Sequence, residues 1–420
     1  MGVLTERNFR LFFSGYATSL FGSRMVPVAL TFAVLNEGHG ATAVGYVLGV
    51  EDVPLVALLL IGGAIADRFS RRFTMLGADL ARFASEGTLA ALILVGRPPL
   101  WAFMVLAGVL GAGQAFFNPA MTGLMPEMVS RERLQQANAL RGIANSTGMI
   151  LGPSLAGVIV AVGGAGWAIA IDAATYAVSA ACLWTLAIPP KAKTDSSSLL
   201  SQLAVGWREF RARTWIWLIV AQFATFNAFS FAPFMVLGAV VSRDQLGGAG
   251  AWGAILAVFG VGSIVGGIIA VRLPGKRPLV IALLGAALFA LPGATLAIPT
   301  ATLFIAVAAG VAGVGLSVFG TLWETALQHH VPGEVLSRVS SYDWIGSVAF
   351  VPLGYIIAGP IAGIIGVRTL LLVSAAWAGS SCLAVLLSRS VREVRGEPMA
   401  EEADAPGVVG SATDDTATHR

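Results

Sequence analysis

Apolar residues occur along this chain in long runs that short polar stretches separate. Twelve of these runs lie at residues 12–35, 43–66, 73–95, 100–124, 143–162, 165–188, 215–240, 251–271, 278–298, 301–322, 342–364 and 367–387. A helix needs about 20 apolar residues to cross the hydrocarbon core of a bilayer. Backbone polar groups find no water there, so each run is predicted to be a helix. The pattern predicts an all-α membrane protein with 12 transmembrane helices.

The composition argues against a large soluble protein. Hydrophobic residues make up 56% of the 420 residues and charged residues only 12%, whereas soluble domains carry about 25% charged residues. The net charge of +3 does not suggest nucleic-acid binding. Cys182 and Cys382 lie within apolar runs and are expected to be buried residues, not a disulfide or a metal site. The first apolar run lacks a small-residue cleavage site, so we expect a retained span.

Lysine and arginine are distributed unevenly between the two sides of the predicted helices. With the N-terminus inside, twenty of them fall in inner segments and three in outer loops. This bias predicts a multi-pass protein of the cell membrane with both termini in the cytoplasm. We expect two halves, at residues 1–188 and 215–389, joined by a cytoplasmic linker at 189–214. The tail at 390–420, rich in Ala, Gly and acidic residues, is predicted to be disordered.

A short motif appears twice in the chain. The stretch GGAIADRFSRRF (Gly62–Phe73) returns as GGIIAVRLPGKR (Gly266–Arg277) after 204 positions. Both copies end an apolar run and enter a short basic segment, so spans one to six are echoed by spans seven to twelve. Chance similarity between Gly-rich helices is the alternative. Two parallel six-helix halves around a central cavity are typical of transporters, which bind substrate near the midplane.

The first copy of the motif is similar to a signature of the major facilitator superfamily, which lies between the second and third helices. Gly63, Asp67, Arg68, Arg71 and Arg72 occupy the positions of that signature. The resemblance implies a conformational latch that holds the outward-open state. The alternative is that the arginines only determine topology, although topology does not explain Asp67.

The fifth span resembles the antiporter signature of the same superfamily. Gly148, Gly152, Pro153 and Gly157 occupy its positions, and Ala156 replaces its penultimate glycine. The stretches MLGADLAR and FNPAMTGLMPEMVSRERLQQANAL resemble the subgroup that holds the enterobactin exporter and the macrolide efflux permeases. These resemblances favour export. Ordinary packing of small residues between helices is the alternative explanation for the glycines.

Charged residues inside the spans are candidates for proton coupling, because charges are costly in lipid. Arg24 in the first span and Glu51 and Asp52 in the second span fall at similar depth in an antiparallel hairpin. We expect Arg24 to pair with one of these carboxylates, so that protonation would break the pair. A purely structural ion pair is the alternative.

Other buried charges are expected to be structural. Asp79, Arg82 and Glu86 share one face of the third span, because residues three and four apart are neighbours on a helix. We expect them to form a mostly structural network. Asp172 is a lone acid among small residues of the sixth span and is expected to serve a helix contact.

Amides and aromatic rings mark a candidate substrate cavity. The candidates are Gln114, Phe117 and Asn118 in the fourth span and Gln222, Phe226 and Asn227 in the seventh. Aromatic walls with a few amides suit a bulky, amphipathic and mostly uncharged ligand. Phenylalanines that pack or face lipid are the alternative.

These features predict a secondary active transporter and not an enzyme. Its expected activity is proton-coupled efflux of hydrophobic or amphipathic small molecules (drugs, siderophores or secondary metabolites) by alternating access. An importer or lipid or lysolipid facilitator of the same fold, or a non-transporting sensor, are the alternatives. The sequence has no GxxxxGK[ST] loop, so ATP is not the expected energy source. The expected partners are the substrate, protons and the lipid bilayer, without nucleic acid, cofactor or metal, and we expect a monomer.

Overall fold

The computed structural model describes residues 2–68, 70–96, 98–130, 133–187, 199–273, 276–298 and 301–395. Its first half consists of α1 (Arg7–Ser23), α2 (Val26–Asn36), α3 (Ala41–Arg68), α4 (Arg71–Val95), α5 (Leu100–Met128), α6 (Leu134–Gly163) and α7 (Ala165–Thr185). Of the predicted linker, residues 189–198 lie outside the described residues, and α8 (Leu199–Ala212) forms its remainder. The predicted tail lies outside them from residue 396 onward.

The second half begins directly after α8. Its helices are α9 (Thr214–Phe226), α10 (Ala232–Val241), α11 (Ala249–Arg272), α12 (Pro278–Ala287), α13 (Ala290–Leu296), α14 (Thr302–His330), α15 (Gly333–Val348), α16 (Val351–Ile365), α17 (Val367–Val385) and the short α18 (Arg389–Arg392). Helices α12 and α13 together form one span, and so do α15 and α16.

Eleven spans within the described residues are long and apolar enough to cross a membrane. The helix α4 supplies the twelfth, because its 25 residues are also long enough for a crossing. Its apolar stretch is interrupted by Asp79, Arg82 and Glu86, residues that are at most 4% exposed. The charged side chains of α4 therefore face the interior of the first half. The all-helical, twelve-span fold predicted from the sequence is confirmed.

The first and seventh spans are interrupted at matching positions. Helix α1 ends at Ser23 and α2 begins at Val26, so the break falls at Arg24. In the seventh span a π-helical turn, Asn227–Phe231, separates α9 from α10. The 204-residue shift of the repeated motif carries Arg24 onto Ala228, inside that turn. Single π-helical turns often occur at functional sites, and here the sequence repeat coincides with a repeated break in the helix.

The two halves meet through glycine-rich helix pairs near one end of the bundle. We call this the far end, since it lies opposite the start of α1. Gly45 and Gly49 of α3 lie against the backbone of α16, where a Cβ at Gly49 would be 3.1 Å from the Pro352 carbonyl oxygen. Arg243 donates hydrogen bonds to the carbonyl oxygens of Leu35 (3.3 Å) and His39 (3.4 Å) in the first half. These contacts close the far end.

Candidate functional site

A buried charged cluster occupies the interior of the first half. It consists of Asp79, Arg82 and Glu86 from α4 and Asp172 from α7, all at most 4% exposed. Asp79, Arg82 and Glu86 lie on one face of α4, as their spacing predicts, and that face meets α7. Asp172 is not a lone acid, because its carboxyl group lies within hydrogen-bonding distance of Glu86. The charged face of α4 thus packs against α7, a helix that the sequence did not predict as its partner.

Arg82 is the cation of this cluster. Its guanidinium group donates to the Asp79 carboxylate and lies 4.4 Å from the ring centroids of both Phe117 and Tyr176. Cations over aromatic faces are stabilised by the ring quadrupole, more so when water is excluded. Phe117 is only 4% exposed. The structure therefore corrects its predicted place in a substrate cavity, since it packs inside the first half beneath Arg82.

A glycine of α5 makes room for the Arg82 side chain. A Cβ at Gly113 would lie 2.7 Å from Arg82 Cγ and 3.2 Å from Arg82 Cδ. Overpacking a dense interior costs about 1–3 kcal/mol. We expect Gly113→Ala to lower the thermal unfolding midpoint in detergent, because Arg82 would be pushed off its ring contacts. Gly77→Ala on α4 is the matched control, since a Cβ there meets nothing within 4 Å; equal midpoints for both variants would contradict this packing argument.

Arg24 does not pair with Glu51 or Asp52, which corrects the pairing expected from the sequence. Its guanidinium group donates instead to the side-chain oxygen of Asn145 on α6, and no carboxylate of the described residues lies within 4 Å of it. The spacing along the hairpin predicts how deep Arg24 lies in the membrane, but not toward which neighbouring helix its side chain points. Its direction follows from the packing of the α1–α2 break against α6.

The antiporter-like face of α6 has two separate contacts. A Cβ at Gly148 would lie 3.2 Å from Arg24 Cγ, and one at Gly152 would collide with the Arg24 backbone. One turn further, the Pro153 carbonyl and Gly157 lie directly against Gly253 of α11 in the other half. The glycines on this face of α6 therefore contact Arg24 and, one turn further along, the second half of the protein at the far end.

Glu51 and Asp52 lie half-buried on α3, near the contact between the halves. Both carboxyl groups are within electrostatic range of the Tyr355 hydroxyl on α16. Glu51 is also within electrostatic range of Glu86 and Asp172 inside the first half. Glu51 therefore interacts electrostatically with groups of both halves.

The basic motif after α3 is described only in part. Beyond their helical backbone, Gly63, Asp67 and Arg68 lie outside what the structure describes, so the latch stays a prediction. Arg71 donates to the Gly123 carbonyl (2.8 Å) and the Glu127 carboxylate (2.7 Å) on α5. Arg72 donates to the carbonyls of Leu183 (2.8 Å) and Trp184 at the end of α7. These two arginines join the start of α4 to the ends of two neighbouring helices.

Two of the predicted cavity residues in the seventh span pack inside the second half. Gln222 is 5% exposed and donates to the Ser381 hydroxyl (3.2 Å), and Phe226 is fully buried. Their placement in a cavity is therefore corrected. Asn227 is half-buried and its amide donates to the Ser347 carbonyl (2.9 Å).

Gln114 and Asn118 of α5 are half-buried and lie four residues apart on one face of the helix. Their place in a substrate cavity stays a prediction, as does that of Asn227. Of the six cavity candidates these three amides are the ones that the structure leaves accessible.

Comparison with known proteins places these features in a family. The model of the Major Facilitator Superfamily matches residues 12–349. Macrolide efflux protein A of Streptococcus pyogenes is 23% identical over 87% of this chain and 92% of its own length. Multidrug efflux pump Tap of Mycolicibacterium fortuitum is 24% identical over 83% of this chain and 87% of its own. Enterobactin exporter EntS of Citrobacter koseri is 28% identical over 48% of each chain.

Solved structures agree at the level of the fold. A mutant of the nucleoside transporter NupG aligns with a TM-score of 0.72 at 14% identity over 90% of this chain and 99% of its own. A bacterial homologue of the lysosomal transporter Spinster, in an inward-facing conformation, aligns with a TM-score of 0.69 at 17% identity over 93% and 98% of the two chains.

Proposed function

Because this chain belongs to the major facilitator superfamily, we propose that it is a secondary active exporter which uses the proton gradient to expel hydrophobic or amphipathic small molecules. The observation that carries this proposal is the likeness of most of the chain to two efflux proteins, a macrolide and a multidrug pump. The family and these relatives are membrane transporters and not enzymes. The cell membrane is the location that fits such relatives.

The positive-inside bias supports a cytoplasmic position for both termini. In that orientation the far end faces outward, so the closed far end corresponds to an inward-facing state. Substrate would then enter between the halves from the cytoplasm or the inner leaflet. The amides of Gln114, Asn118 and Asn227 are the polar groups proposed to bind it, because all three remain partly accessible.

A proton gradient is an adequate energy source for such export. One proton that crosses 100 mV releases about 2.3 kcal/mol, and about 1.4 kcal/mol corresponds to a tenfold concentration ratio. Intramembrane carboxyl groups are the usual proton carriers in lipid. Glu51 and Asp52 lie beside the contact between the halves, where a change of their charge acts directly on the closure of the far end.

The first test is the accumulation of a panel of lipophilic dyes and macrolides in cells with and without the protein. We expect lower accumulation with the protein and restoration of accumulation by a protonophore. Glu51→Gln or Asp52→Asn is expected to reduce this difference at least about tenfold, equivalent to about 1.4 kcal/mol.

The matched control is Glu393→Gln, because Glu393 is exposed and its side chain makes no ion pair within the described residues. It should retain full efflux. Export that persists with a protonophore would contradict proton coupling, and uptake down the same gradient would favour an importer or lipid facilitator instead.

A further inference from the structure

The carboxyl groups of Glu86 and Asp172 lie within hydrogen-bonding distance of each other. They come from different helices, α4 and α7, and are 3% and 0% exposed. Two ionised carboxylates have no hydrogen to share, so a hydrogen bond between them requires one proton. Glu86 Oε2 and Asp172 Oδ2 receive no hydrogen bond from any donor of the described residues. No protein donor of the described residues therefore competes with a shared proton for these two oxygens.

The charges around the pair support the same conclusion. Arg82 is the only cation among the four clustered residues, and it already pairs with Asp79. Full ionisation of Asp79, Glu86 and Asp172 would leave a net charge of 1 − 3 = −2 inside the membrane. Isolated charges in that environment are costly, and two adjacent carboxyl groups avoid the cost by sharing a proton.

Groups from every neighbouring helix face this pair. Helix α3 contributes Glu51, within electrostatic range of both carboxyl groups, and α7 contributes Tyr176. Helices α2 and α5 contribute apolar walls, with Val26 and Leu30 from α2 and Leu106, Ala107 and Leu110 from α5 lining a small cavity beside Glu86. This cavity has a volume of about 10 Å³, close to the space that one water molecule occupies.

The pair is also in contact with the break of the first span. Gly22 of α1 lies so close to Asp172 Oδ1 that an added Cβ would collide with it. The Tyr176 hydroxyl, one turn along α7 from Asp172, shares a 2.8 Å hydrogen bond with Ser23. Arg24 follows directly and packs on α6, the helix that closes the far end. A change of charge at Asp172 thus acts on the backbone of α1 next to the break at Arg24.

We propose that Glu86 and Asp172 form a proton-binding site that holds one shared proton, and that this proton is exchanged during the transport cycle. The role of this site in transport rests on the proposed proton-coupled function. The binding of the proton by the pair does not depend on that function. Loss of the proton changes the charge of the pair from −1 to −2, next to the α1 backbone. Glu51 interacts electrostatically both with the pair and with Tyr355 at the interface of the halves, so its charge responds to that of the pair.

Infrared spectroscopy of the full-length protein in lipid vesicles tests the shared proton directly. A protonated carboxyl group has a C=O stretching band that shifts in D2O. We expect this band at neutral pH in the wild type and a clear loss of intensity in both Glu86→Gln and Asp172→Asn, because the new amide donates the hydrogen bond itself. The exposed carboxylate variant Glu393→Gln is the matched control and should keep the band.

A band of unchanged intensity in both pair variants would overturn the inference. So would a band that sodium chloride removes but choline chloride does not, because the pair would then bind Na⁺. The thermal unfolding midpoint of each variant shows whether it is folded. Glu86→Gln preserves the shape of the side chain, so at least one variant is expected to remain folded for this comparison.

Transport in the same vesicles, with a radiolabelled macrolide as the probe, tests the coupling. Glu86→Gln is expected to reduce transport driven by a pH gradient at least about tenfold, while exchange of labelled for unlabelled macrolide stays within about twofold of wild type, or about 0.4 kcal/mol. Equal loss of both activities would overturn the coupling role. If the wild type does not move the macrolide, the proposed function fails for that substrate, and the infrared result still decides the proton site.

Discussion

Gly253→Leu is expected to reduce efflux about a hundredfold by preventing closure of the far end. A Cβ at Gly253 would collide with the Pro153 carbonyl and lie 3.1 Å from Gly157 Cα. These are backbone atoms, which cannot rotate away as a side chain can. Overpacking of this kind costs up to about 3 kcal/mol, and about 3 kcal/mol shifts an equilibrium about a hundredfold. The state closed at the far end would therefore be depopulated.

Spin labels at Asn36 and Gln245 measure this closure, because both positions are exposed and lie on opposite halves at the far end. In the wild type we expect a population with a short distance between the labels, and in Gly253→Leu a shift to longer distances. Gly250→Leu is the matched control, one turn earlier on α11, where a Cβ meets nothing within 4 Å. Unchanged distances together with normal efflux in Gly253→Leu would contradict this account of the seal.

The span pattern was predictable because lipid imposes few solutions. Bilayer thickness sets the length of each apolar run, and backbone hydrogen bonding sets its helical form. The repeated motif also indicated the equivalence of the first and seventh spans, and both are broken at the corresponding position. The breaks themselves were not predicted, although each is followed by a proline in the first turn of the next helix, Pro27 in α2 and Pro233 in α10, a position that proline favours at the start of helices.

The contacts between helices were harder to predict, because they depend on how each helix is rotated. Spacing within α4 correctly placed Asp79, Arg82 and Glu86 on one face, yet it could not show that Asp172 of α7 faces Glu86. Similar depth suggested that Arg24 pairs with a carboxylate of α3. In the structure Arg24 turns to α6 instead, where Gly148 and Gly152 leave room for it and Asn145 accepts its hydrogen bond.

The cavity candidates show the same limit. Helical spacing put Gln222 and Phe226 in one span with Asn227, but a helix buries one side and exposes another. Gln222 finds its partners, Ser381 and Cys382, within the second half. An amide in an apolar helix indicates that a polar partner exists, but the sequence does not tell whether that partner is a substrate or a neighbouring helix.

Arg24→Gln is expected to reduce proton-driven efflux at least about tenfold, or about 1.4 kcal/mol, with little change in thermal stability. Glutamine still donates a hydrogen bond to Asn145, so the variant removes the charge and leaves the hydrogen bond possible. An intramembrane cation without a carboxylate partner is costly, and Arg24 has no such partner within 4 Å among the described residues. The variant should therefore not lose thermal stability, so that a loss of efflux reports on the charge itself.

The companion variant is Asn145→Asp, which supplies the missing carboxylate. Charge-assisted hydrogen bonds are about twice as strong as neutral ones, so this variant should raise the thermal unfolding midpoint. It should also slow efflux, because the α1–α2 break would be bound more tightly to α6. The efflux rates of both variants, Arg24→Gln and Asn145→Asp, are measured in vesicles with the same macrolide. If Arg24→Gln transports normally, the role of Arg24 is to pack against Gly148 and Gly152, and its charge is not part of the transport cycle.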